Sequence, residues 1–225
     1  MMRIVTWNVE RLKHNDKLEE IKRCCLDAKA DILVLTETDS RLDLSYKCSC
    51  STPPAKEVLP KLYKYTENRV TICTDYPVQR IHETYDRYTA ACVEVDTELG
   101  SLIVYGTIMG IFGNREKSYE EDLKKQIEDI RRLSSLGNLC VIGDYNCSFS
   151  DNYYFTKSGR QSILDVFNDC RITMLTASRK ECIDHISISE SFIGQAEIAI
   201  DEWNYDKSLS DHKGIVVEII EESKG

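Results

Sequence analysis

The sequence predicts an α/β fold of sheet layers with helices on the outside. Short β-branched runs recur along the chain, two amphipathic helical patterns lie between them, and 225 residues suffice for one continuous core. The strand-like runs fall at 3–7, 31–36, 70–73, 91–95, 102–108, 139–142, 183–188, 197–200 and 215–220. After the first run, Leu18, Ile21, Cys25 and Ala28 share one helical face, with Asp16 as the expected cap. Tyr119, Leu123, Ile127, Ile130 and Leu133 mark a second helix, with Gly137 as the expected stop. That helix lies between the 102–108 and 139–142 strands, as in a crossover unit, whereas 70–73, 91–95 and 102–108 are separated only by loops. The stretch 42–65 contains Cys48-Ser49-Cys50-Ser51-Thr52-Pro53-Pro54, is the least regular, and is expected to be an insertion or surface loop. With no internal linker or repeat, 1–225 is read as one domain.

Bulk properties narrow the class. Hydrophobic residues at 42% and charged residues at 30% give a globular mix, which excludes a disordered or fibrous chain. The apolar opening is too brief for a signal-peptide core and no later stretch reaches the length of a membrane span, so a cytoplasmic chain without a membrane partner is expected. Ten cysteines form no CxxC pair and no dense framework, and most sit in apolar runs, so they are expected to be reduced core thiols. A net charge of −9 excludes a broad basic face for long nucleic acids. Nucleic-acid contact would be short, or local to groups such as Arg131-Arg132 or Arg179-Lys180.

The polar motifs all fall at strand ends. Trp7-Asn8-Val9-Glu10 closes the first strand, Thr36-Glu37-Thr38 the second, and Gly143-Asp144-Tyr145-Asn146 the 139–142 strand. Ile183-Asp184-His185 opens a late strand, and Ser210-Asp211-His212 immediately precedes the last. Residues at neighbouring strand ends meet along one sheet edge, where ligand sites form. Two carboxylates about 4 Å apart repel by roughly 4 kcal/mol at an effective dielectric of 20. A hard divalent cation relieves that repulsion, and a Glu, Asp and Asn oxygen set with waters suits Mg²⁺ or Mn²⁺ rather than zinc.

Those five motifs, in that order, resemble the endonuclease/exonuclease/phosphatase superfamily, which includes deoxyribonuclease I. The resemblance spans nearly the whole chain and implies a four-layer α/β sandwich, two mixed β-sheets packed face to face with helices outside. It implies Glu37 as principal metal ligand, with Glu10 as a further acidic ligand and Asp211 as a metal or water contact. Asp144 would orient or deprotonate the attacking water, and Asn146 would hold a phosphate oxygen. His212 would stabilise charge on the phosphoryl oxygens, with Asp184 orienting its ring and Asn8 fixing Asp144 and His212. One departure is visible: many relatives place a His or Tyr against the scissile phosphate where this chain has Ile108, so either a neighbour such as Tyr105 or Asn114 substitutes or catalysis runs without that contact.

The implied reaction is hydrolysis of a phosphoester by metal-activated water without a covalent enzyme intermediate. A nuclease acting on DNA or RNA is the first expectation, because Glu10 fits the nuclease branch. A phosphatase or phosphodiesterase for a small soluble substrate is the second, and a degenerate binding protein the third. No Gly-x-Ser-x-Gly elbow supports a serine hydrolase. His185 is expected to be a strand residue beside Asp184 and not a catalyst, and His14 and His82 have no acidic motif that recruits them. Arg87 could reach a phosphate or be an ordinary loop arginine, and Trp203 and Tyr205 either stack on a base or brace their loop.

Overall fold

The computed structural model describes residues 1–110 and 117–221. Two six-stranded mixed sheets are built from β1 (Met2–Asn8), β2 (Ile32–Asp39), β3 (Cys48–Ser51), β4 (Glu67–Thr74), β5 (Val78–Ile81), β6 (Ala90–Thr97), β7 (Gly100–Ile108), β8 (Leu139–Asp144), β9 (Ile172–Met174), β10 (Asp184–Ser189), β11 (Glu197–Trp203) and β12 (Gly214–Ile220). The first sheet runs β11-β12-β1-β2-β4-β3 and the second β5-β6-β7-β8-β10-β9. In each sheet one central pair is parallel, β1 with β2 and β7 with β8, and the remaining pairs are antiparallel. The helices are α1 (Leu18–Asp27), α2 (Lys117–Ser134), α3 (Lys157–Asp169) and the single turn α4 (Glu190–Ile193).

The period-two alternation of strand side chains assigns the layers. Ile32 and Val34 of β2 point between the sheets, where they join Val93, Val104, Ile142 and Ile186. Their neighbours Leu33 and Leu35 point outward onto Ile21 and Cys25 of α1. On β8, Cys140 and Ile142 face inward, while Leu139 and Val141 meet Leu123 and Ile130 of α2 and Ile163 and Val166 of α3. The central strands are therefore buried on both faces and read as continuous apolar runs. At Gly106 the two sheets approach closely: a Cβ there would lie 2.8 Å from Val70 Cγ1.

Several local expectations are corrected. Asp16 does not cap α1; the chain enters through the 3-10 turn Asn15–Lys17, and the position before the helix is Lys17, which makes no side-chain cap bond. Gly137 lies beyond the end of α2, after a turn closed by Leu136 N donating to Leu133 O at 3.0 Å. The 42–65 stretch contains the edge strand β3 and is not loop throughout. The strands β5 and β9 and the helix α3 extend the sequence reading; Thr156 caps α3 by accepting from Gly159 N at 3.0 Å. All ten cysteines are thiols, most of them buried. Among the described residues, no helix is long and apolar enough to cross a membrane.

Candidate active site

The site forms where strand ends of the two sheets meet. Gly143 has φ 131°, and a side chain there would collide with the Thr107 carbonyl, so glycine lets β8 pass close to β7 and deliver Asp144. Asp144 pairs in register with Asp184 of β10 on one side and Ile108 of β7 on the other. Its Oδ2 accepts from Asn8 Nδ2 of the other sheet at 3.2 Å, and its Oδ1 accepts from Asn146 N at 2.8 Å. Both oxygens are thus fixed, one from each side of the sandwich. Asn146 takes a left-handed conformation (φ 47°) and its Nδ2 donates to Met109 O at 3.0 Å.

His212 Nδ1 lies 2.6 Å from Asp184 Oδ2, and its Nε2 lies 3.5 Å from Asp211 Oδ1. The loop carrying His212 is held from behind. Trp7 Nε1 donates to His212 O at 3.1 Å, Asn204 Nδ2 donates to the same oxygen at 2.6 Å, and the Ser210 hydroxyl donates to Asn8 O at 2.6 Å while accepting from His212 N at 3.2 Å. Ser210, Asn204 and the Met109 carbonyl were not singled out from the sequence. Only Ser210 left a signal there, as the first residue of the terminal motif.

Burial sets the charges. Asp144 and Asp184 are 4% and 2% exposed. Burial pushes the Asp144 carboxyl up to about 7; the His212 imidazolium opposes the rise and the Asp184 charge adds to it. Burial alone would lower His212, but the Asp184 carboxylate outweighs it and lifts the imidazolium to about 10. The cluster therefore sets a charged His212 beside a carboxyl whose ionisation burial disfavours. Ligand atoms of Asp144, Asp184 and His212 lie within 4.8 Å of one another. A protonated imidazole bonded through Nδ1 to a carboxylate has no lone pair for a cation, so His212 and Asp184 form a hydrogen-bonded relay beside Asp144.

Comparison with known proteins agrees with this architecture. No protein-family model and no curated protein matches the sequence. Among solved structures, an AP endonuclease from Archaeoglobus fulgidus superposes with a TM-score of 0.65 at 12% identity, covering 97% of this chain and 99% of that one. An endonuclease/exonuclease/phosphatase family protein from Leptotrichia buccalis gives 0.66 at 16% identity, over 97% and 99% of the two chains. Humanized D. rerio TDP2, altered by 14 mutations, gives 0.68 at 14% identity, over 98% and 99%. The chain has the endonuclease/exonuclease/phosphatase fold.

In this fold the acidic residues expected to hold a metal lie beside the relay, outside the trio. Glu10 Oε2 accepts from Asp211 N at 3.3 Å. Burial would raise the Glu10 carboxyl, but the bond and charge of Lys13, 2.5 Å away, hold it below the usual range. Glu37, at φ 44°, interrupts the β2–β4 ladder between the pairs Thr36–Val70 and Thr38–Asn68, and its Oε2 lies 3.8 Å from Arg11 Nε. Glu10, Arg11 and Leu12 are three consecutive left-handed residues with φ of 50°, 55° and 51°. Such backbone costs on the order of 1–2 kcal/mol per residue and persists where the surroundings enforce it. The donor set of Glu10, Glu37 and Asp211 offers only oxygens. Lys13 and His14 lie within 4.0 Å of the Glu10 carboxylate and Arg11 within 4.0 Å of Glu37, so each carboxylate draws positive charge. A hard divalent cation fits this chemistry.

The other expectations sort clearly. Tyr105 does not replace the group missing at Ile108: it is fully buried on the α2 side, its hydroxyl 3.4 Å from Asp129 Oδ2. Residues 105 and 108 differ by an odd number, so they face opposite sides of β7. Asn114 lies outside the described residues. His185 is a core residue, its Nδ1 against Thr176 and Nε2 against Cys147 O, and burial lowers it to about 4. Trp203 braces Trp7 edge-on, with ring centroids 5.5 Å apart. Arg87 lines a different cavity, with His82 and Cys92.

Proposed function

We propose that the chain is a phosphoesterase that hydrolyses phosphodiester bonds with an activated water and a divalent cation, Mg²⁺ or Mn²⁺, and that its substrate is DNA or RNA. The observation that carries this reading is the placing of Asp144, held by Asn8 and Asn146, beside the bonded Asp184–His212 pair where the two sheets meet. Asp144 accepts the proton of water as its oxygen attacks phosphorus and the bond to the leaving oxygen breaks. The bonds from Asn8 and Asn146 N keep that carboxylate aimed. His212 stays protonated through Asp184 and presents Nε2 to the charge growing on the phosphoryl oxygens. Asn146 has a second amide hydrogen beyond the one given to Met109 O, and it serves the same charge. A fixed donor of this kind is worth about 10²–10³ in rate. Glu37, Glu10 and Asp211 would hold the cation, which supplies Lewis-acid stabilisation of the phosphoryl oxygens when bound.

A second reading, a small soluble phosphoester as substrate, is supported by the net charge of −9, which repels a long polyanion. The test is a panel of single-stranded, duplex and abasic DNA, RNA and small phosphoesters, with Mg²⁺ or chelator, for wild type and Asp144→Ala. Metal-dependent cleavage of nucleic acid, lost in the variant, is expected. Cleavage confined to small phosphoesters moves the assignment to the second reading, and Asp144-independent cleavage overturns both.

A further inference from the structure

A cavity of about 520 Å³ opens beside the relay, lined by Asn146, Asp184 and His212 together with Tyr153, Lys207 and Lys213. Its size suits one small ligand unit, within the roughly 300–1,000 Å³ of such sites. The relay accounts for one wall. The lip formed by the tyrosines and lysines has no part in the chemistry or in the core. Tyr153 is 47% exposed and Tyr205 is 65% exposed, and each is coupled to a lysine that lines the cavity. Lys207 Nζ donates to the Tyr153 hydroxyl at 2.6 Å while lying 4.6 Å from the ring centroid. The ammonium therefore sits by the polar edge of the ring, not over its centre. Lys213 Nζ lies 5.5 Å from the Tyr205 centroid and is fixed by Glu202 Oε2 at 3.2 Å and Lys180 O at 2.9 Å. Lys207, in contrast, forms no ion pair among the described residues, so its charge is available to a ligand.

We propose that this lip binds unpaired nucleotides next to the scissile phosphate, with Tyr153 and Tyr205 as stacking surfaces and Lys207 as a phosphate contact. The proposal rests on the phosphoesterase reading and gives its substrate a form. Exposed aromatic rings alternating with cations are the chemistry of single-strand binding, because every base has a π-face and every linkage a charge. A duplex keeps its bases stacked inside and is gripped through its phosphates, which needs a broad basic face. A chain of net charge −9 favours the unpaired form, which a single lip with two aromatic rings can hold.

The experiment measures anisotropy of a short fluorescein-labelled single-stranded oligonucleotide and of the same sequence as a duplex, using Asp144→Asn protein so that the probe stays intact. Single strand is expected to bind more tightly than duplex. Tyr153→Ala and Tyr205→Ala, added to that parent, are each expected to weaken binding by about 5- to 100-fold. Lys207→Gln should reduce the slope of log affinity against log salt by about 0.7. Tyr153→Phe keeps the ring and loses only the Lys207 bond, so affinity near the parent's separates stacking from a folding defect; melting temperatures check each variant. Tighter duplex binding, or lip variants that bind like the parent, overturns the proposal while leaving Asp144-dependent cleavage intact. Binding of neither probe, with Asp144-dependent hydrolysis of a small phosphoester, removes the nuclease reading along with it.

Discussion

His212 donates from Nδ1 to Asp184 Oδ2 at 2.6 Å, and this pair joins the loop before β12 to the first residue of β10. The contact explains why a buried imidazole carries charge: the carboxylate outweighs the burial that would neutralise it.

The rate should follow both ionisations. In the proposed reaction Asp144 works as the carboxylate, so kcat/KM is expected to rise as pH increases through about 7, and His212 works as the imidazolium, so it should fall as pH passes about 10. Asp184→Asn removes the charge that lifts His212, and the alkaline limb should move down by more than about one pH unit. A pH–rate profile of both proteins checks this; an unmoved alkaline limb would contradict the role given to Asp184.

Asn8→Ala should act on the opposite limb. The Asn8 bond holds the Asp144 carboxyl down against burial, so losing it moves the acid limb to higher pH. The carboxylate oxygen left unpaired should cost about 1–3 kcal/mol of stability. Denaturant melts and the pH profile read the two effects separately.

Gly143→Ala should damage fold and site together. The substituted residue would hold φ 131° and meet the Thr107 carbonyl, and the backbone strain alone is worth about 1–3 kcal/mol. A lowered melting temperature with a lower rate is expected, since Asp144 is the next residue. A variant with wild-type melting and rate would remove the role given to this turn.

Much of this arrangement was legible because its parts are short and local. The short β-branched apolar runs announced the strands, and each polar motif stood at a strand end. That is why Asn8, Asp144, Asn146, Asp184 and His212 could be expected to meet, as they do. Glu37, Glu10 and Asp211 reach the same end of the sandwich with intervening cations, Arg11 and Lys13, that only a side-chain arrangement shows. The edge strands β3, β5 and β9 are three or four residues long, too short for a periodic signal to rise above a loop. The helix α3 does carry a signal, Thr156 as cap followed by Ile163, Val166 and Phe167 at helical spacing. Tyr105 illustrates a parity argument open to sequence alone: it stands an odd number of residues from Ile108 and cannot share its face.

Metal binding should appear without any substrate. Mg²⁺ or Mn²⁺ at about 100 times its dissociation constant should stabilise the native state by about 2.7 kcal/mol. For a chain of this size that is a rise of roughly 5–10 °C in melting temperature. Glu37→Gln should need markedly more cation for the same rise, and a melting temperature indifferent to either ion would contradict the carboxylate site.

The central claim, water attack assisted by Asp144, is tested most directly by single-turnover cleavage of an end-labelled single-stranded oligonucleotide by wild type and Asp144→Asn, with Mg²⁺ or with chelator. The account predicts metal-dependent cleavage by wild type and a rate lower by about 10²–10⁴ in a variant that melts like a folded protein. Equal rates for the two proteins would contradict it.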